Sequence, residues 1–327
     1  MSEKRIQQAG QALSTQLTEI GERYGLNKVE ARFLGPLLVY FDKPNIREIV
    51  INEPGTIGFE YPDGSWEWID APELTKDQLE DAARMLANMS GEVFTPSHPI
   101  LSCKMPGGHR VQVVSGHHTT KKFTLTVRIA HKKNYTFDNF DMPEADRQHI
   151  IDSIVNKRTI LISGGTSSGK TSFMNAAIKH IPLHERLITM EDVPELEVPH
   201  KNCASLIFGG ANRDPDGREI KEILNACLRM RPDRILLGEI RKENAFAFCS
   251  AINTGHEGSM ATIHANTPDM ALDAVLNRVM LQGDIPENAL TVLRRQLEAD
   301  IYGIVQLNRV GPIVKGYFKV LKPQSEH

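Results

Sequence analysis

The 327-residue chain is 40 % hydrophobic, 24 % charged and 6 % aromatic, a composition that fills two buried cores and excludes a disordered, collagen-like or coiled-coil protein. Its net charge of −3 gives no bulk electrostatic case for wrapping nucleic acid, so no specific nucleic-acid binding is expected and any basic surface must be local. The four cysteines, Cys103, Cys203, Cys227 and Cys249, form no CxxC pair, which removes zinc ribbons, dithiol redox motifs and a disulfide framework and fits a reducing compartment.

In chain order, residues 1–10 (MSEKRIQQAG) lack the apolar stretch of a signal peptide, and the run at residues 33–41 (FLGPLLVYF) is too short to span a bilayer. The chain therefore reads as neither secreted nor transmembrane. Ile6, Ala9, Leu13, Leu17, Ile20 and Tyr24 stand three or four apart, one stripe of a helix over residues 2–24 that packs on its own domain or faces a membrane or partner. Residues 46–51 (IREIVI) read as a strand, and residues 57–69 (IGFEYPDGSWEWI) as two strands about a Pro62-Asp63-Gly64 turn. A helix over residues 75–89 buries Leu79, Ala82, Ala83 and Leu86. Strands at 110–114 (RVQVV) and 123–130 (FTLTVRIA) follow. Residues 1–130 are thus expected to form an N-terminal domain of mixed α+β structure.

Residues 131–147 (HKKNYTFDNFDMPEADR) lose the pattern and read as a linker. From 148 to 327 a strand-then-helix rhythm returns, the mark of an α/β domain with a mostly parallel sheet. Its strands are expected at 160–163, 187–190, 235–237 and 260–263. Helices are expected at 172–180, at 219–230 up to Pro232, and at 269–281 behind the N-cap Thr267 and Pro268.

Gly164, Gly165, Thr166, Ser167, Ser168, Gly169, Lys170 and Thr171 match G-x-x-x-x-G-K-[ST] without a mismatch, between the strand ending at Ser163 and the helix opening at Ser172. Small residues there let successive backbone N–H groups turn toward phosphate oxygens, and the helix N-terminus adds partial positive charge. Lys170 is expected to reach the β- and γ-phosphates of ATP and Thr171 to ligate Mg²⁺.

Ligands of open α/β sheets sit beyond the carboxyl ends of the strands. Glu239 follows residues 234–238 (RILLG), and Glu191 and Asp192 follow residues 187–190. Attack by water on a γ-phosphate needs a group that orients the water and accepts its proton. With Gly238 where an Asp is usual, Glu239 is the only acid of its strand and takes that role. His264 ends the strand 260–263 and either bonds the γ-phosphate or serves the structure. His117, His118 and His131 lack metal-ligand spacing. Arg229, Arg231, Arg234 and Arg241 surround the Glu239 strand, and the sequence leaves open which of them acts on nucleotide. Lys121-Lys122 and Lys132-Lys133 read as a solvated basic face or an attraction to anionic lipid.

In order and spacing, residues 164–171 (GGTSSGKT), 187–196 (LITMEDVPEL), 228–241 (LRMRPDRILLGEIR) and 255–268 (GHEGSMATIHANTP) resemble the Walker A, Asp box, Walker B and His box of the secretion traffic ATPases. The wording is most similar to the hexameric ATPase of bacterial type IV secretion and conjugation systems. The resemblance implies a RecA-like C-terminal domain, a PAS-like N-terminal domain and a homo-hexamer peripheral to the cytoplasmic face of the inner membrane, beside other secretion components. It makes Glu239 the Walker B glutamate, Glu191 the acid of the Asp box, able to reach Mg²⁺ through water, and His264 the histidine of the His box. Arg110 in residues 109–113 (HRVQV) and Arg128 in residues 126–129 (TVRI) match two family arginines that contact the nucleotide phosphates. Type IV pilus retraction motors and tight-adherence pilus ATPases are the neighbouring alternatives, and a nucleotide-gated scaffold is the non-enzymatic one.

Overall fold

The computed structural model describes residues 17–130, 134–208, 218–283 and 286–321, which fall into two units, Met1–Lys132 and Lys133–His327. In the first unit residues 17–24 are helical (α1), and the remainder of the expected N-terminal helix lies outside the described residues. Helix α2 (Lys28–Leu38) opens with a reciprocal cap between Asn27 and Glu30. Helix α3 (Lys76–Ser90) is capped by Thr75 and stops at Gly91, which takes the left-handed conformation at φ 68°.

The sheet of this unit holds six strands: β1 (Glu48–Ile51), β2 (Thr56–Glu60), β3 (Trp66–Asp70), β4 (Ile100–Lys104), β5 (Arg110–Ser115) and β6 (Phe123–Arg128), in the order β3-β2-β1-β6-β5-β4. Every pairing is antiparallel, so side chains alternate between the two faces. Ile49, Phe59, Leu125, Val113 and Leu101 pack with Leu34, Leu38, Leu79 and Leu86 of the two helices. The other face carries Glu60, Glu48, Arg128, Arg110 and Lys104 as one row across five strands.

The second unit begins earlier than the sequence suggests. Phe137 and Phe140 are buried at 4 % and 3 % exposure in a cluster with Phe173 and Ile178, and Asp141 exchanges backbone bonds with Val314 and Gly316. The expected linker over 131–147 is therefore corrected: from residue 134 onward this stretch packs as part of the second unit, because its isolated aromatics fill that core despite the charged residues between them. His131, Lys132 and Lys133 lie outside the described residues.

Helix α4 (Glu144–Val155) leads to β7 (Thr159–Gly164), α5 (Lys170–Ile178), β8 (Leu187–Glu191), β9 (Cys203–Ile207), α6 (Arg218–Arg229), β10 (Arg234–Leu237), α7 (Ala245–Asn253), β11 (Met260–Ile263), α8 (Pro268–Gln282), α9 (Leu290–Asp300), β12 (Ile301–Val310) and β13 (Ile313–Val320). The sheet order is β13-β12-β7-β11-β10-β8-β9. All neighbours are parallel except the β12-β13 hairpin.

Both faces of this sheet are covered, as strands that read as continuous apolar runs require. Leu161, Ile188, Ile235 and Ala261 join Leu224, Phe248, Val275 and Leu297 in one layer. Ile160, Ile162, Leu187, Leu236 and Met260 join Ile154, Phe173 and Ile178 in the other. The result is a doubly wound domain whose strand ends β7, β11, β10 and β8 open side by side at one edge. No described helix is long and apolar enough to cross a membrane.

Candidate active site

The phosphate loop runs from the end of β7 into α5. Ser167 and Gly169 take positive φ values of 56° and 87°, which curls the backbone around the space before the first turn of α5. Gly164 must be glycine: a Cβ there would stand 2.6 Å from the Leu307 carbonyl oxygen and 2.4 Å from Ser168 Oγ. Ser168 is 2 % exposed, and its hydroxyl has no hydrogen-bond partner. A buried orphan donor inside the loop fits a group that a phosphate oxygen would satisfy. Lys170 is buried, and its ammonium donates to the carbonyls of Gly164 (2.9 Å) and Gly165 (2.8 Å).

From Lys170 a chain of contacts crosses the strand ends. The Lys170 Nζ lies 3.1 Å from His264 Nδ1. His264 Nε2 lies 2.8 Å from Glu239 Oε1. Arg241 Nε donates to Glu239 Oε2 at 3.1 Å, and its terminal nitrogen reaches Asp192 Oδ2 at 2.8 Å. An ammonium has only protons to offer, so Nδ1 must accept and Nε2–H must donate to Glu239, which fixes a neutral imidazole in one tautomer.

Electrostatics agree with this assignment. Burial, then the adjacent Lys170 ammonium, holds the His264 pKa below its ordinary 6.5 despite the pull of Glu239. Burial also lowers the Lys170 pKa to about 8, against the opposing influence of Glu239. The lysine is thus held by the loop's own carbonyls, contacts that an incoming phosphate would replace.

The carboxylates expected from the sequence divide their work. Glu239 joins the chain just described. Glu191 is 4 % exposed, and its Oε1 accepts from the backbone N–H of Glu195 (2.7 Å) and Leu196 (3.0 Å), fixing the turn after β8. Its Cγ lies where a Cβ on Gly238 would come within 3.1 Å, so the missing Asp at 238 has a steric reason. Asp192, one residue on, is the acid of that strand end that reaches the arginine.

The four arginines separate to opposite ends of β10. Arg241 sits in the site. Arg234 is wholly buried at the other end, with Nε and a terminal nitrogen on Glu185 at 2.6 and 3.0 Å. Arg229 and Arg231 are exposed just before β10 begins. Arg110 and Arg128 belong to the first unit, directly opposite one another across β5 and β6, with Glu48 opposite Arg128 on the far side. Like charges facing across a ladder are unfavourable, and the Glu48 carboxylate, electrostatically coupled to Arg128, offsets part of that repulsion.

Three participants escaped the sequence reading. Arg278 of α8 is half-buried and lowers the His264 pKa by its charge. Arg309 of β12 donates Nε to the Ser167 carbonyl at 2.6 Å. Gln306 of the same strand donates Nε2 to the Ala265 carbonyl at 3.3 Å. Only the pairing of β12 with β7 brings the last two to the site, and no local motif announces that pairing.

Residues 76–309 match the family described as type II/IV secretion system protein. The type IV secretion system protein VirB11 of Bartonella quintana (strain Toulouse) is 33 % identical, covering 88 % of this chain and 90 % of the relative. The type IV secretion system protein PtlH of Bordetella pertussis is 31 % identical over 83 % of this chain and 87 % of its own. Among solved structures the Legionella pneumophila ATPase DotB superposes with a TM-score of 0.64 at 17 % identity, covering 89 % of this chain and 81 % of that one, a likeness of fold.

Proposed function

The chain belongs to the type II/IV secretion system protein family, and from that premise we propose that it is a Mg²⁺-dependent ATPase whose hydrolysis powers a type IV secretion system. The observation that carries the proposal is the unbroken chain Lys170, His264, Glu239, Arg241, Asp192 laid across the strand ends beside the phosphate loop. The relatives that share about a third of the sequence over most of its length are type IV secretion proteins, which favours this reading over a pilus motor.

In this reading the loop N–H groups and Lys170 hold the β- and γ-phosphates. Glu239 orients the attacking water and accepts its proton, and His264 bonds the γ-phosphate. Arg241 keeps the Glu239 carboxylate turned toward the reacting phosphate. Arg110 and Arg128 supply further phosphate contacts. The Thr171 hydroxyl would hold Mg²⁺, and Glu191, with Oε1 engaged by its loop, would reach the ion only through water. No cluster of three His, Cys, Asp or Glu stands ready for a metal among the described residues, which suits an ion that takes one hydroxyl and fills its octahedron with water and phosphate. Bound Mg²⁺ would neutralise charge on the β- and γ-oxygens. The working form is a homo-hexamer peripheral to the inner membrane, meeting other components of the secretion machine.

The test is ATP turnover with Mg²⁺, alongside particle mass by light scattering, for wild type, Lys170→Ala and Glu239→Gln. The expected outcome is hydrolysis from a particle of about six protomers, abolished in both variants, with ATP still bound by Glu239→Gln and lost from Lys170→Ala. A folded wild type that binds ATP without turnover would make the protein a nucleotide-gated scaffold instead.

A further inference from the structure

Strand β12 is buried throughout from Ile301 to Leu307, and the one amide side chain in that stretch, Gln306, is 0 % exposed. Burying a long amide in a strand loses rotamer freedom and hydration together. Here the loss is not repaid within the strand, because Gln306 Oε1 has no hydrogen-bond partner. A well-packed Met or Leu would suit folding better. What the amide does is specific: its Nε2 donates to the Ala265 carbonyl at 3.3 Å, with a long second contact of 3.5 Å to Asn308 Oδ1.

The same Ala265 carbonyl accepts from Ser163 Oγ at 3.3 Å. The register explains the convergence: Gln306 lies opposite Ser163, and Ser163 opposite Ile263, on three adjacent strands. Two side chains from two strands therefore grip the one carbonyl that follows His264, where β11 has ended and the backbone has no ladder partner to fix it. Three residues beyond Gln306, Arg309 holds the Ser167 carbonyl of the phosphate loop, and the Leu307 carbonyl lies against Gly164. One strand thus sets the spacing between the phosphate loop and the histidine that spans from Lys170 to Glu239.

We propose that Gln306, assisted by Ser163, is a positioning residue for hydrolysis that acts by clamping the Ala265 carbonyl and so holding the His264 ring between Lys170 and Glu239. The proposal rests on the reading of His264 as an active-site group, and the experiment separates failure of the one from failure of the other.

Full-length protein with Mg²⁺ and ATP is assayed as wild type, Gln306→Met, His264→Ala and the double variant, with unfolding midpoints measured in parallel. Gln306→Met keeps volume and removes the donor. Its kcat is expected to fall about fivefold to tenfold, the rate equivalent of one hydrogen bond, with KM for ATP changed by less than about twofold. In the double variant, kcat equals that of His264→Ala alone, since a residue that acts through the histidine has nothing left to position. Nuclear magnetic resonance titration of His264 without nucleotide is expected to shift upward in Gln306→Met as the ring leaves the lysine. If Gln306→Met fails to fold, Ser163→Ala carries the same cycle with a smaller effect. Independent, multiplicative losses in the double variant, or a folded Gln306→Met with wild-type kcat, would overturn the clamp. A His264→Ala protein that hydrolyses ATP like wild type would instead overturn the role of the histidine, and the clamp with it.

Discussion

An arginine–carboxylate pair stands at each end of strand β10, and the two pairs are built in opposite ways. At the N-terminal end the side chains of Arg234 and Glu185 are 0 % and 3 % exposed, joined by two bonds, and the remaining Arg234 terminal nitrogen donates to the Ile154 carbonyl at 2.6 Å. At the C-terminal end Arg241 and Glu239 are 39 % and 25 % exposed and share one bond, each holding a second partner. The first pair leaves nothing for a ligand to replace. The second is a string of single, partly solvated contacts that a phosphate, a water and a metal can rearrange at small cost. Fastening calls for the buried fork, and exchange calls for the open chain.

The largest effect should come from the fastened end. Arg234→Ala leaves the buried Glu185 with only the Lys157 ammonium, 3.9 Å away, and is expected to destabilise the protein by about 3–5 kcal/mol, read as a drop in the denaturation midpoint. The turnover of whatever protein remains folded should be unchanged, and a specific loss of kcat would break the division between the two ends. Gly258→Ala probes the same end through the backbone. Gly258 sits at φ 76°, and a Cβ there would come within 2.9 Å of both Arg234 and the Lys157 Cα. A loss of about 1–3 kcal/mol is expected from strain and displacement of the guanidinium. An unshifted midpoint would mean that the arginine is less tightly held than its bonds imply.

The open end should respond the other way. Arg241→Ala removes two contacts of a residue more than a third exposed, so stability is expected to change by less than about 1 kcal/mol. The kcat should nevertheless fall about tenfold as Glu239 loses its orientation. Arg241→Lys is not expected to rescue it, because an ammonium cannot bridge Glu239 and Asp192 as the planar fork does. A large stability loss in Arg241→Ala would place that residue with Arg234 instead.

The two ends of β10 were not equally legible. The phosphate loop and Glu239 could be read because their chemistry fixes local spacing: glycines before a lysine, an acid at the end of an apolar run. Arg234 and Arg241 look alike in sequence, since what separates them is Glu185, 49 residues from Arg234 along the chain. Gln306 and Arg309 were invisible for the same reason, their partners lying 41 and 142 residues away across a strand pairing. Helix α2 was hidden by Pro36 inside it, although Asn27 and Glu30 spell the capping box that would have found it. Residues 134–143 read as a linker because Asn, Thr, Asp and Pro143 break up every run of apolar residues, so that Phe137, Phe140 and Met142, which do the packing, stand singly with no helix or strand period.

The subtlest difference between the ends lies in pH. Arg234 and Glu185 meet as a buried pair of opposite charges, whereas the open end contains the imidazole of His264. In the folded protein burial and then Lys170, with smaller contributions from Arg278 and Arg241, keep His264 neutral below its ordinary 6.5, and Glu239 alone pulls the other way. As pH falls below 6.5 the unfolded chain takes up a proton that the folded site resists, so the nucleotide-free protein loses stability in that window and regains it above. His264→Gln should flatten this acid limb of the midpoint against pH while leaving the neutral plateau in place. Lys170→Met offers the sharper measurement: it removes the nearest cation without moving the imidazole, so the His264 resonance should titrate at higher pH than in wild type. An unchanged titration would mean that burial and the charges of Glu239, Arg278 and Arg241 set the value and that the 3.1 Å contact between Lys170 and His264 carries no electrostatic weight.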